Sequence, residues 1–288
     1  MKRLIVNADD FGYTRGVNAG IVRGFREGIV TSTTIMANGE AFEDAIECAR
    51  ANPRLGVGCH LVLVGGKCVA TAKQVGSLAD SEGLMPASLP SLLSKLSVGS
   101  IRQAEIEAEL RAQVERVVAA GVQPTHFDSH KHTHAHPRVM EVVAKIAEEF
   151  GILRIRKPFE DVRALLWPGF RGGVSSWKQR AVALLAGANA SSFRKIAARH
   201  GIRAPNHFLG VAATGRLNRQ TILAMIRTMR DSTTELMCHP GEYDEELEQA
   251  ATRLKRERET ELEGLTDSDV RKAVSEHNVR LINFGELG

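Results

Sequence analysis

Short β-branched runs alternate with amphipathic stretches almost from one end of the chain to the other, which restricts the fold to parallel α/β architectures. Leu4-Ile5-Val6 reads as a first strand and Val17 to Gly28 as a helix closed by its glycine. Val30 to Ile35 is a second strand, followed by a helix from about Phe42 to Ala51 that stops before Pro53. Leu55 to Val64 is a third strand with His60 inside it. Pro124 precedes a histidine-rich strand, and Pro137 opens the helix that ends near Phe150. Ile152 to Arg156, Phe208 to Val211, Thr233 to Cys238 and Val279 to Phe284 read as further strands, and Asn218 caps a helix running to Arg230. No G-x-G-x-x-G follows the first strand and no G-K-[ST] loop occurs, so a distorted, TIM-like (β/α) barrel of parallel strands is expected rather than a nucleotide fold. The 288 residues suit one domain, 1–288.

Two segments break the rhythm. Residues 65–99, rich in Gly, Ser, Pro and Ala, read as a long variable loop with one short helix, and loops of that length usually serve a site, often as a lid. Ser100 then caps a strong helix with Ile101, Ile106, Leu110, Val114, Val117 and Val118 on one stripe. Residues 161–201 read as a helical insertion, with helices at about Trp177 to Leu185 and Ser192 to His200, and are the candidate homodimer surface.

Five of the ten histidines fall between Thr125 and His136, where a strand should meet a helix. If that segment is extended, His126, Asp128 and His130 point one way and Phe127 and Ser129 the other. An adventitious surface metal binder would also be histidine-rich. Against that reading stand the carboxylate pair Asp9-Asp10 at the end of the first strand and the isolated His60 and His239 at two other strands. Ligands of a metal centre converge from distant segments in this way. Asp9, Asp10, His60, His130, Arg156 and His239 all lie at C-terminal strand ends, the face on which β/α barrels build their chemistry. One carboxylate and two imidazoles suit a divalent ion, zinc, cobalt or manganese among them, and leave positions for water and substrate. A neighbouring carboxylate can then take the proton of the water. Asp9 and Asp10 fit this division because neighbours on a strand point apart, and His239 suits an acid for a departing amine.

The same residues carry a resemblance. Asn7-Ala8-Asp9-Asp10-Phe11-Gly12, Gly28 to Thr34, Gly58 to Leu63, His126 to His132, Arg156-Lys157-Pro158 and Glu235 to Gly241 resemble, in order, the motifs of the YdjC-like carbohydrate deacetylases. The match is weakest at 70–99 and 161–201. It implies a barrel-like fold and metal-dependent hydrolysis of an N-acetyl group from an N-acetylglucosamine-containing saccharide or glycolipid. It also implies metal ligands Asp10, His60 and His130, the base Asp9, the acid His239, and Arg156 orienting or tuning Asp9. Magnesium is the ion the resemblance favours, with zinc or cobalt as alternatives. His132 and His134 either line the sugar site or hydrogen-bond within the loop. Relatives act on chitin-type disaccharides or on a glucosamine-bearing hopanoid lipid, and the motifs do not separate these. Relatives often carry Asp where this chain has Asn206.

Other function classes are weaker. The net charge of +4 is spread along the chain, which does not suggest nucleic-acid binding, and the run Arg253 to Glu259 mixes signs and reads as a solvated helix face. Four scattered cysteines suggest neither a zinc knuckle nor a disulfide scaffold. The first apolar run ends at Asn7, too short for a signal peptide, and nothing approaches a membrane span, so a cytoplasmic protein is expected. A metal-dependent hydrolase of another amide or a glycoside is the alternative enzyme reading. A non-catalytic sugar-binding homologue is the alternative from another class.

Overall fold

β1 (Lys2–Phe11) is buried along nearly its whole length, as a strand covered on both faces must be, and the rest of the sheet is arranged around it. A computed structural model describes residues 1–160 and 189–288. In it, β2 (Ser32–Ile35), β3 (Gly56–Leu61), β4 (Phe127–Ser129), β5 (His207–Leu209), β6 (Thr233–Cys238) and β7 (Val279–Leu281) join β1 in one parallel sheet. The order is β4-β3-β2-β1-β6-β5, and β7 pairs with Lys2 to Leu4 of β1. No regular ladder joins β4 to β5. Residues 153–156 span that gap through single parallel bridges, Phe127 to Ile155 and Arg154 to Arg203. The result is a distorted α/β barrel, with 152–156 serving as a bridge where a ladder strand was expected.

The helices follow the strands as the periodicity requires. They are α1 (Arg15–Glu27), α2 (Phe42–Ala51), α3 (Leu89–Ser97), α4 (Gln103–Ala119), α5 (Pro137–Glu149), α6 (Ala190–Arg199), α7 (Arg219–Thr228), α8 (Glu245–Gln249), α9 (Glu257–Thr266) and α10 (Ser268–Glu276). Pro137 opens α5, and the Asn218 side chain caps α7 by accepting from Thr221 N. Gly28 closes α1 without a left-handed backbone; a Cβ there would stand 2.5 Å from the Leu265 carbonyl, so space demands the glycine. Ser100 does not cap α4, which starts at Gln103; its hydroxyl instead donates to the Lys95 carbonyl behind α3. The helix expected at Trp177 to Leu185 falls outside the described residues, and the one expected at Ser192 to His200 is α6. No helix among the described residues is long and apolar enough to cross a membrane.

The 65–99 segment is tied down from α4. Glu105, Glu109 and Gln113 recur every fourth residue on one face of that helix and are buried. Glu109 accepts from Val69 N and Ala70 N at 3.0 and 2.9 Å, and Gln113 brackets Val62 through both its N–H and its carbonyl. Glu105 accepts from Ser77 N at 2.6 Å and from Leu78 N at 3.2 Å. Carboxylates thus satisfy backbone donors that an irregular segment would otherwise bury unpaired.

Candidate active site

Strand alternation would turn Asp9 and Asp10 to opposite faces, and the structure breaks it. Between Ala8 and Phe11, β1 carries one residue more than β2 opposite it, a bulge, and Asp10 takes a left-handed φ of 69°. Both carboxylates therefore line one cavity of about 450 Å³ at the C-terminal mouth of the sheet. The expectation that the pair point apart is corrected by this bulge.

The histidine-rich segment departs from its extended reading as well. β4 ends at Ser129, and His130–Ala135 is a 3-10 turn with Lys131 and His132 both left-handed, at φ 53° and 54°. Two consecutive non-glycine residues in that region store strain of about 1–3 kcal/mol each. The corner brings His130 and His132 to the cavity. His126 does not reach it; its ring stacks on Phe284 at 3.7 Å, with Nε2 3.1 Å from Asn7 Oδ1. His134 is fully buried outside the lining, hydrogen-bonded to the Ser129 hydroxyl and, 3.0 Å away, to the Arg156 carbonyl. His132 lines the cavity edge-on to Phe208, and burial holds its ring well below the usual histidine range.

Asp10, His60 and His130 converge. Oδ1 of Asp10 lies 3.5 Å from His60 Nε2 and 3.3 Å from His130 Nδ1. Behind His60, Asp128 accepts from Nδ1 at 2.7 Å and also from the Thr34 hydroxyl at 3.1 Å. Burial would lower the His60 pKa, but Asp128, with Asp9 and Asp10, lifts it to about 9. Burial would raise the Asp10 carboxyl, yet Arg258 and His130 hold it well below the ordinary range.

Beneath the cavity a fully buried guanidinium organises three carboxylates. Arg156 grips Asp9 through both terminal nitrogens at 2.7 and 2.6 Å, donates from Nε to Glu235 at 2.6 Å, and pairs with Asp128 at 2.7 Å. Asn7 adds a donor to Asp9 at 3.0 Å. Burial alone would raise the Asp9 carboxyl; Arg156 holds it far below the ordinary range, so Asp9 is ionised throughout the neutral region. Glu235 is pushed up to about 8, chiefly by burial, with Asp9 and Asp128 close by.

His239 follows the last residue of β6 and lines the same cavity. Burial lowers its ring to about 4, against the pull of Asp10 and Asp9. Its backbone N–H donates to Glu261 at 2.6 Å.

A family model described as YdjC-like protein matches residues 3–276. The chain belongs to that family. A carbohydrate deacetylase of Brevibacillus brevis is 37% identical to this YdjC-like chain over 287 residues, covering 99% of the chain and 100% of the relative. A chitooligosaccharide deacetylase of Citrobacter koseri is 33% identical over 283 residues, covering 98% and 97%. A solved Enterococcus faecalis V583 protein, named for cellobiose-phosphate cleavage, matches with a TM-score of 0.80 and 25% identity over 100% of this chain and 99% of that one.

The donors of this YdjC-like site suit a divalent ion. One carboxylate oxygen and two imidazole nitrogens lie within 4.8 Å of one another, and Asp128 fixes His60 so that Nε2 faces the other two. A second cluster, Asp9, His60 and Asp128, is as close, but Arg156 already occupies both of its carboxylates. The sequence reading missed Arg258, which pairs with Asp10 at 2.6 Å and is buried where a solvated face was expected. It also gave no role to Glu235 or Glu261. Glu235 opens the Glu235 to Gly241 motif, but its role, like those of Arg258 and Glu261, is defined by a partner distant in sequence.

Proposed function

We propose that this chain is a metal-dependent hydrolase that removes the N-acetyl group from an N-acetylglucosamine-containing saccharide or glycolipid, releasing acetate. The observation that carries the reading is the convergence of Asp10, His60 and His130 beside an ionised Asp9 at the cavity mouth. Those three residues would hold the ion, magnesium by family resemblance. When bound, a divalent ion acidifies water and polarises an acyl oxygen.

The chain's own groups account for the protons. Asp9, kept ionised and aimed by Arg156 and Asn7, accepts the proton released as water adds to the acetyl carbon. The C–N bond then breaks, and the amine needs one proton to leave. His239, neutral at pH 7 in this arrangement, supplies it after taking one up. With Asp9 taking one proton and His239 giving one, amide and water become amine and acetic acid. Asp9 then releases its proton to solvent, from which His239 took the one it gave, and the acid ionises to acetate. His132, on the strained corner, fits a sugar contact. His134 fits a supporting role, since its hydrogen bonds hold the corner to Ser129 and the Arg156 backbone.

The test is acetate release from diacetylchitobiose and from an N-acetylglucosamine-lipid mimic, with metal-stripped protein restored by Mg, Zn or Co in turn. Metal-dependent acetate from either substrate is expected. Full activity in chelator would point to glycoside chemistry by paired carboxylates, and sugar binding without acetate under any ion would point to a binding protein.

A further inference from the structure

Arg258 sits in a run that the sequence presents as solvated, yet its side chain is 1% exposed. A buried guanidinium is tolerated where its donors meet acceptors. Nη2 meets Asp10 Oδ2 at 2.6 Å and Nε donates to the Leu254 carbonyl at 3.2 Å, while Nη1 is buried without a hydrogen-bond partner among the described residues. The Asp10 carboxylate is thereby divided, one oxygen to the arginine and the other to His60 and His130. Among the described residues its hydrogen-bond and ion-pair partners are those three side chains.

The bulge makes this division matter. Asp10 stands where the β1 ladder is interrupted, so regular strand pairing does not fix its side chain. Arg258 is itself firmly seated. At Gly264, a Cβ would stand 2.5 Å from the Leu217 carbonyl, so α9 lies directly against that backbone; at Gly241 a Cβ would come within 3.1 Å of Arg258 Cδ. Three residues beyond Arg258 on the same helix, Glu261 accepts from His239 N at 2.6 Å and Gly215 N at 2.5 Å. One helix thus holds the side chain of Asp10 and the backbone of His239.

We propose that Arg258 is a positioning residue for the ion site, holding Asp10 so that Oδ1 alone is presented to the ion, with α9 as the frame that sets Asp10 and His239 relative to each other. The proposal rests on the metal reading above. A guanidinium beside Oδ2 also draws charge from the carboxylate, which taken alone weakens ion binding. Placement outweighs that effect, because hydrogen-bond partners behind metal ligands are typically worth about 10–100-fold in affinity.

The two effects have opposite signs, so one titration separates them. Metal-free protein is titrated with cobalt(II), following the visible absorption bands of the bound ion. Arg258→Met raises the dissociation constant about 10–100-fold and changes the band pattern. Arg258→Lys, which keeps the charge without the fork, falls between wild type and Arg258→Met. Binding by Arg258→Met that is unchanged or tighter overturns the proposal, and tightening is what charge withdrawal alone predicts. If Arg258→Met loses its far-UV circular dichroism, Arg258→Lys decides, and an unaltered constant and spectrum there overturn the proposal. A wild-type protein that takes up no cobalt overturns the metal reading itself, a result distinct from either variant's.

Discussion

Asp128 Oδ1 lies 2.7 Å from His60 Nδ1, and this contact decides which imidazole nitrogen faces the cavity. With Nδ1 donating to the carboxylate, Nε2 is left to bind. The elevated His60 pKa of about 9 means that ion binding must displace a proton from this ring.

Asp128→Asn preserves shape but removes the charge that fixes the tautomer. Ion affinity should fall about 10–100-fold, measured by calorimetric titration of metal-free protein. Unchanged affinity would show that His60 does not depend on Asp128.

Asp9 and His130 should separate chemistry from binding. Asp9→Asn is expected to lower kcat by about 10²–10⁴ with the ion still bound. His130→Ala should lose both activity and ion, as read by acetate release and metal content. Loss of the ion from Asp9→Asn would refute the assigned roles.

Glu235 gives a pH signature in stability. Its folded pKa of about 8 stands above the ordinary 4.5. Between those values the folded chain keeps a proton that the unfolded chain has released, so this group's contribution to stability declines as pH rises through the window and flattens above about 8. Glu235→Gln retains an acceptor for Arg156 Nε and cannot titrate, so its urea midpoint should fall less across that window than that of wild type. Equal declines would remove Glu235 as the source.

Glu109→Ala strips the acceptor from two backbone N–H groups, each costing about 1–3 kcal/mol when left unmet. Limited proteolysis should then cut within 65–88 faster than in wild type. Equal cleavage rates would mean that the carboxylate is not what holds the segment.

Much of the fold was legible because helix and strand periods are local properties: α1, α2, α5 and α7 lie where apolar spacing and caps predict them. The residues proposed to hold the ion were legible as types, since Asp10, His60 and His130 stand at strand ends. Their orientation was not. The β1 bulge and the left-handed corner at Lys131 and His132 are imposed by tertiary packing, and strand alternation has no way to register either. Arg258 was hidden for a related reason. A mixed-sign run looks solvated unless the buried carboxylate it serves, 248 positions away, is already in view.

The α4 staple has a consequence for how such an enzyme can diversify. Glu105 and Glu109 grip main-chain amides of residues 69–78, and an amide is the same whichever side chain it carries, proline excepted. At Val69 and Ala70 the grip is blind to the identity of what it holds, whereas Glu105 also takes the Ser77 hydroxyl. Leu89, the residue of the 65–99 segment that lines the cavity, lies beyond the gripped stretch. Its side chain can be rewritten without touching the two carboxylates on α4 that hold residues 69–78 in place.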